Sequence, residues 1–513
     1  MNDENLILVF VHGWSVTNLD TYGELPLRLQ NETNGTNETV VKNVYLGQYI
    51  SFHDEVQLQD ISRAFETAVK EQLSAEIANG DRFVCITHST GGPVVRDWYD
   101  SYYNPEPAGR PKFKGGVCPM SHLIMLAPAN FGSALAQLGK SKISRLKSWL
   151  SGVEPGQGVL NWLELGSDKA WELNARWIKN EGGEISANGI FPFAIIGQSI
   201  DRKLYDNLNT YTGELGSDGV VRSAAANLNA SYVSVKQGAI TYSGDNYVAE
   251  VPTVEYYTAP ATAFLIVPKK SHSDTTMGIM ASPTGNPTGD NPQSKQLVDA
   301  ILDCIKVKSK TDYDALSKTF EERTAAVQKD ERVEKVDGTI FIHDRYFYHD
   351  RFSMVIFRIH DSENYPVINY DLTFTAGDDN DANHLPEGFF VDRQCNRLSP
   401  QTVTYYMNYD VMHGCDAIKY KGKVLRPKLN GIKKLGITVE PHRDKGFIKY
   451  LPFNIQADAE FFDQVIKPNS TTLIDICLQR VVDKEVSRLN LYTGPVPFNH
   501  DFHKIEPSKN VVI

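Results

Sequence analysis

Short apolar runs alternate with amphipathic stretches through the first 305 residues, a pattern that predicts a mostly parallel sheet covered by helices. Leu6 to Val11 is an unbroken apolar run suited to a central strand buried on both faces. Further strands are expected at Phe83 to Ile86, His122 to Leu126, Ile190 to Ile196 and Ala263 to Val267, with a weaker one at Val44 to Ile50. Apolar residues at 61, 65, 69 and 73 share one face of an expected helix over Ile61 to Ile77, and a helix from about Ser294 to Cys304 closes the region.

Residues 306 to 338 are rich in Lys, Glu, Asp and Thr and read as a connecting helix or linker. Beyond them the period changes. Ile368, Tyr370, Leu372 and Phe374 alternate with Asn369, Asp371 and Thr373, as in a strand with one wet face. Similar runs at 352 to 359, 402 to 409 and 472 to 478, set between turn residues, predict a β-sandwich over 339–513.

Composition narrows the function classes. The 513 residues exceed what one core usually organises, which agrees with two domains. A formal charge of −11 argues against nucleic-acid partners, which require a basic surface. The six cysteines lack the paired spacing of a zinc site or disulfide framework and read as reduced thiols. Met1 to Asn5 is polar and acidic, without the basic start of a secretory signal, and no stretch of 18 apolar residues occurs. The expectation is a cytoplasmic or peripherally membrane-associated protein. The sequons at Asn31, Asn34 and Asn37 then mark a polar surface loop.

The chemistry begins after the strand Phe83 to Ile86. Thr87-His88-Ser89-Thr90-Gly91-Gly92 leads into a helix-like Pro93 to Tyr99, giving strand, sharp turn and helix with serine at the apex, the nucleophile elbow of the α/β-hydrolase fold. Gly91 meets the need for a small residue two positions after the serine, whereas Thr87 departs from the usual glycine two positions before it. That fold places serine, acid and histidine in this order along the chain. Asp218, in Gly216-Ser217-Asp218-Gly219-Val220-Val221, and His272, in Ser271-His272-Ser273, follow Ser89 in that order. Asp201 is the rival acid by topology, because it stands closer to the strand 190 to 196. The glycine beside Asp218 favours it by permitting a tight turn.

Acyl transfer also needs two N–H groups where negative charge develops. Thr90 offers one, and the loop His12-Gly13-Trp14 after the first strand offers the other, with Trp14 as donor. His12 and His88 read as supports of these loops. No metal or other cofactor is required.

Between 132 and 180 lies an expected cap or lid. Leu135, Leu138, Ile143, Leu146, Trp149 and Leu150 recur near helical spacing, Lys140, Lys142, Arg145 and Lys147 add charge, and Trp162, Trp171 and Trp177 follow. A basic amphipathic helix with tryptophans can touch an anionic bilayer. It can equally bury its apolar face on the catalytic domain, and the two roles are compatible. Lys269 and Lys270 are candidate contacts for a phosphate headgroup, or plain solvated lysines. The acidic run Asp378 to His384 lacks the glycine and glutamate of a calcium-binding EF-hand loop and reads as a hairpin tip.

With the Thr87-His88-Ser89-Thr90-Gly91 elbow, Asp218 in Ser217-Asp218-Gly219-Val220, and His272 ahead of a β-rich C-terminal domain, the chain resembles the PlaB-type bacterial phospholipases A. The resemblance implies phospholipase A and lysophospholipase A activity, membrane association without a transmembrane helix, and homo-oligomers. It also implies Ser89 as nucleophile, Asp218 as acid and His272 as base. The competing readings are a carboxylesterase or thioesterase on the same triad, and a binding protein on an inactive hydrolase fold.

Overall fold

The computed structural model describes residues 5–12, 21–34, 39–51, 53–104, 117–138, 156–179, 185–200, 214–243, 246–336, 345–442 and 448–482. Six parallel strands form the first sheet in the order Ala263–Val267, Phe191–Gly197, Met120–Leu126, Phe83–His88, Leu6–His12, Thr39–Tyr45. The strand expected near Val44 thus starts earlier, at Thr39. The helices Leu58–Gln72, Gly91–Tyr102 and Pro292–Ile305 bury their apolar faces in the same core as the sheet. This is the α/β-hydrolase architecture, with the elbow strand Phe83–His88 inside the sheet and the chain turning from strand to helix at its carboxyl end.

The charged stretch after residue 306 is more than a connector. Its helix Lys310–Asp330 lies along the outermost strand and completes that strand's hydrogen bonding. The N–H of Ala263 donates to Tyr313 Oη at 3.0 Å and that of Ile266 to Thr324 Oγ1 at 3.0 Å, while the Tyr313 hydroxyl donates to Pro192 O at 2.5 Å. Covering an exposed edge in this way protects it from pairing with another chain. Only Tyr313, Phe320 and Thr324 on the helix are fully buried, so its long wet face hid this role in the sequence.

The second domain is a sandwich of a six-stranded and a three-stranded sheet that share one apolar core. The larger sheet runs Phe390–Cys395, Thr402–Asn408, Phe352–Asp361, Thr471–Leu478, Ser231–Lys236, Thr253–Thr258, and the smaller Tyr370–Ala376, Lys434–Pro441, Phe453–Asp458. The larger sheet corrects the expectation that residues beyond 339 build the sandwich alone, because two of its strands come from the first 305 residues. Ser231–Lys236 pairs in parallel with Thr471–Leu478. The run at Asp378 to His384 is not the tip of a hairpin of paired strands but a tight turn, closed by the bridge of Ala376 with Asp381, where the chain crosses from the smaller sheet to the larger; among the described residues no His, Cys, Asp and Glu cluster suits a metal ion.

A buried polar cluster fixes that shared sheet. Asp475 accepts from Tyr232 Oη at 2.6 Å and from both forks of Arg358 at 3.0 and 2.9 Å, and lies 3.3 Å from His360 Nε2. The Arg358 guanidinium in turn lies 4.5 Å from the ring of Trp171, on the helix Asp168–Ile178 of the first domain. Hydrogen bonds to Asp475, then to Cys477, push the His360 pKa up to about 10 from its ordinary 6.5. The raised value means that the stabilisation from charged His360 is complete below pH 6.5 and is lost as pH rises through about 10. Urea unfolding of the wild type should therefore show stability falling across that range, and Asp475→Asn should flatten the fall. The same variant should cost about 3 kcal/mol at neutral pH, because Arg358 keeps a half-buried charge without its partner.

Candidate active site

Ser89 follows the elbow strand directly and takes φ +53°, a conformation costly for a side chain with a Cβ, while the helix Gly91–Tyr102 starts two residues later. The departure at Thr87 is accommodated by its neighbour. A Cβ placed on Gly91 would lie 3.3 Å from Thr87 Cβ, so the threonine fills the space that the glycine leaves. Gly92 is tighter still, its imagined Cβ 2.8 Å from Pro128 Cβ, a close approach that the glycine pair alone does not signal.

Three side chains from distant segments meet at this turn. The Ser89 hydroxyl lies 3.0 Å from His272 Nε2, and His272 Nδ1 lies 2.9 Å from Asp218 Oδ2. Asp218 Oδ1 accepts from the N–H groups of Val220 and Val221 at 3.0 and 2.8 Å, and its backbone carbonyl accepts from the N–H of His272 at 3.0 Å. With the carboxylate so occupied, Nδ1–H is the donor toward Asp218, and Nε2 faces the serine as acceptor. His272 and Asp218 are fully buried, whereas Ser89 is partly exposed. A base that is held, oriented and shielded while its nucleophile meets solvent can carry out acyl transfer. Asp201 lies outside the described residues.

The supporting residues divide. His88 is buried and its Nε2 lies 3.0 Å from the carbonyl oxygen of His272. Burial, then the neighbouring His272, holds the His88 pKa well below the ordinary value, so His88 is neutral and donates to that carbonyl. His12 ends the strand Leu6–His12, with Nε2 3.0 Å from Asn43 Oδ1 and its pKa lowered by burial. Thr90 caps the elbow helix, so its N–H sits in the first turn beside Ser89. Gly13 and Trp14 lie outside the described residues.

Lys270 is not at the mouth. Lys269 adopts φ +50° and turns the chain, so the Lys270 side chain runs inward to Ser282 Oγ at 2.5 Å and Ser294 Oγ at 2.7 Å. Burial lowers its pKa to about 8. Packed against two serines, it cannot reach a headgroup. Lys269 remains exposed, with its backbone N–H on Glu331.

The cap segment is described at 132–138 and 156–179; Lys140, Lys142, Ile143, Arg145, Leu146, Lys147, Trp149 and Leu150 lie outside. Leu135, Trp162 and Trp171 are buried, and the Trp177 indole donates to Leu228 O at 3.3 Å, so these tryptophans pack inward and not at a lipid surface. Two features were not legible in the sequence. Arg96, on the elbow helix, is buried and donates to Asn130 and Asn174 at 3.2 and 3.0 Å, bracing the loop after Met120–Leu126. Ser133, at the base of the cap, donates to Val220 O at 2.6 Å and so touches the turn that carries Asp218.

Two solved structures of phospholipase PlaB from Legionella pneumophila are similar to the whole chain. One is 39% identical with a TM-score of 0.81. The other, in complex with thio-NAD, is 38% identical with a TM-score of 0.79. Each alignment covers 96% of this chain and 98% of the other. No family model matches the chain, and no curated protein does.

The strain at the apex is separable from the chemistry. Ser89→Gly and Ser89→Ala both remove the hydroxyl, but only glycine relaxes at φ +53°. The glycine variant should unfold with a stability about 1 kcal/mol above the alanine variant, measured by denaturant titration.

Proposed function

The chain belongs to the PlaB phospholipase family, and from that premise we propose that Ser89, His272 and Asp218 are the working triad of an enzyme acting on phospholipids and lysophospholipids. It is an ester hydrolase that cleaves phospholipids. The observation that carries the triad assignment is the line from Ser89 Oγ through both ring nitrogens of His272 to Asp218, at 3.0 and 2.9 Å.

The chemistry follows from that line. His272 Nε2 takes the Ser89 proton as Oγ attacks the acyl carbonyl, and Asp218 stabilises the imidazolium that results. Negative charge on the former carbonyl oxygen is met by the Thr90 N–H and by a second N–H, for which Trp14 is the candidate donor. The tetrahedral intermediate collapses with its C–O bond to the lipid backbone breaking, His272 donates the proton to the departing oxygen, and the acyl group stays on Ser89. Water attacks the acyl-enzyme with His272 again as base, releasing fatty acid and restoring the serine. Peripheral contact with the bilayer follows the resemblance; none of the described helices is long and apolar enough to cross one. Self-association follows the resemblance and is read by sedimentation.

Fatty-acid release from mixed phospholipid and lysophospholipid vesicles tests the assignment, run with and without thio-NAD because one relative is solved with it. Wild type should release fatty acid and Ser89→Ala should not. Asp218→Asn should lower kcat by about 10⁴, as expected when the histidine loses its tautomer partner. Release that persists in folded Ser89→Ala would remove the triad assignment, and hydrolysis confined to short-chain esters or thioesters would replace the lipid substrate with a soluble one.

A further inference from the structure

Asp218 rides on a tight hairpin whose outer end is gripped from the second domain. Ser217 and Arg222 pair across the hairpin, the Asp218 N–H donates to Val221 O at 3.2 Å, and the Ser223 N–H donates to Gly216 O at 2.9 Å. Arg222 therefore stands opposite the residue that precedes the acid.

Its guanidinium is almost wholly buried. It forms a fork on Glu214 at 2.7 and 2.8 Å, donates to Asp392 Oδ2 at 2.5 Å, and lies 4.1 Å from the ring of Tyr406. The Tyr406 hydroxyl donates to the carbonyls of Leu215 and Gly216 at 3.0 and 3.3 Å. Gly216 itself, at φ +74°, has no room for a side chain: a Cβ would stand 2.4 Å from both Phe352 Cδ2 and Tyr406 Oη. Asp392 is oriented by Gln394 Nε2 at 2.9 Å. Burial pulls the Arg222 pKa down, but Glu214, Tyr406 and Asp392 together outweigh it and leave it above its ordinary value, so the fork stays charged.

Resting on the triad assignment above, we propose that Arg222, held from the second domain by Asp392 and Tyr406, is a positioning residue that sets the Asp218 carboxylate against His272. A buried ion cluster is poor glue, because an apolar contact of the same volume often stabilises as well. A planar fork on two carboxylates adds direction, fixing one face of the hairpin in register. The carboxylate needs that register, because an error of about 1 Å at a reacting constellation costs up to about a hundredfold in rate.

The test is the pH dependence of kcat/KM on a lysophospholipid, with active sites counted by a fluorophosphonate probe. Asp392→Asn should lower turnover per counted site about tenfold, with KM unchanged. Its acid limb should move about 0.5 unit to lower pH, because an imidazolium with a displaced carboxylate loses its proton more easily. Tyr406→Phe, which removes one hydroxyl, should shift the limb in the same direction by less, and it carries the test if Asp392→Asn does not fold. Turnover per site and acid limb unchanged in the folded variants would overturn the proposal, leaving the cluster a purely structural contact. Asp218→Asn is the reference: if it retained wild-type turnover, the triad assignment would fail. If it were inactive while the other two variants behaved as wild type, only the positioning role would fail.

Discussion

The strand Phe352–Asp361 is buried on both of its faces, and the relation between the two domains follows from that constraint. Phe352, Met354 and Ile356 belong to the apolar core of the hydrolase domain, while Val355, Phe357 and Ile359 belong to the core of the sandwich. Side chains that alternate across a strand can serve two cores only if each has a partner surface in place. The sheet around that strand is accordingly shared. Ser231–Lys236 and Thr253–Thr258 leave the hydrolase segment to extend it, and the Asp475 cluster bonds the joint. Sliding the strand by one residue would place Arg358 and His360 in the sandwich core, so register and domain arrangement are one property.

Much of this was legible because buried parallel strands announce themselves as unbroken apolar runs. Leu6, Phe83 and Ala263 begin such runs, and the structure has a strand at each. The meeting of Ser89, Asp218 and His272 was legible for another reason: strand, turn and helix surround Ser89 within a dozen residues, and chain order constrained the rest. The shared strands were not legible. Ser231–Lys236 mixes serine and lysine into a short alternation, and its partner lies some 240 residues further along the chain. Lys270 misled because charge in a sequence says nothing of direction, and a single residue at φ +50° before it turns the ammonium into the protein.

The cap segment is clasped from the same side of the molecule as the acid hairpin. Glu164 accepts from the Arg397 N–H and guanidinium at 2.8 and 2.9 Å, and the Asn396 amide donates to Leu165 O at 3.1 Å. Gly166, at φ +76°, comes so near Thr402 that a Cβ would stand 2.4 Å from its methyl. The strand Phe390–Cys395 and the turn after it therefore hold both the segment Glu164 to Gly166 and the hairpin that bears Asp218. One consequence is that the catalytic domain cannot be trimmed at residue 305 without freeing both.

The need for such support differs among the three residues for a reason that chain length supplies. Ser89 comes one residue after its strand and His272 five after its own, so each inherits its place from the sheet. Asp218 comes 21 residues after Phe191–Gly197, and a connection of that length fixes nothing by itself. Its hairpin closes locally through Val220, Val221 and Ser223, but a hairpin of six residues still needs anchoring as a body. Ser133 anchors it from the cap, and Tyr406 and Asp392 anchor it from the second domain. The same distance along the chain is why the sequence could not choose between Asp201 and Asp218 by topology. What places an acid so far along the chain from its strand is the surface its hairpin is pressed against, and here part of that surface belongs to another domain.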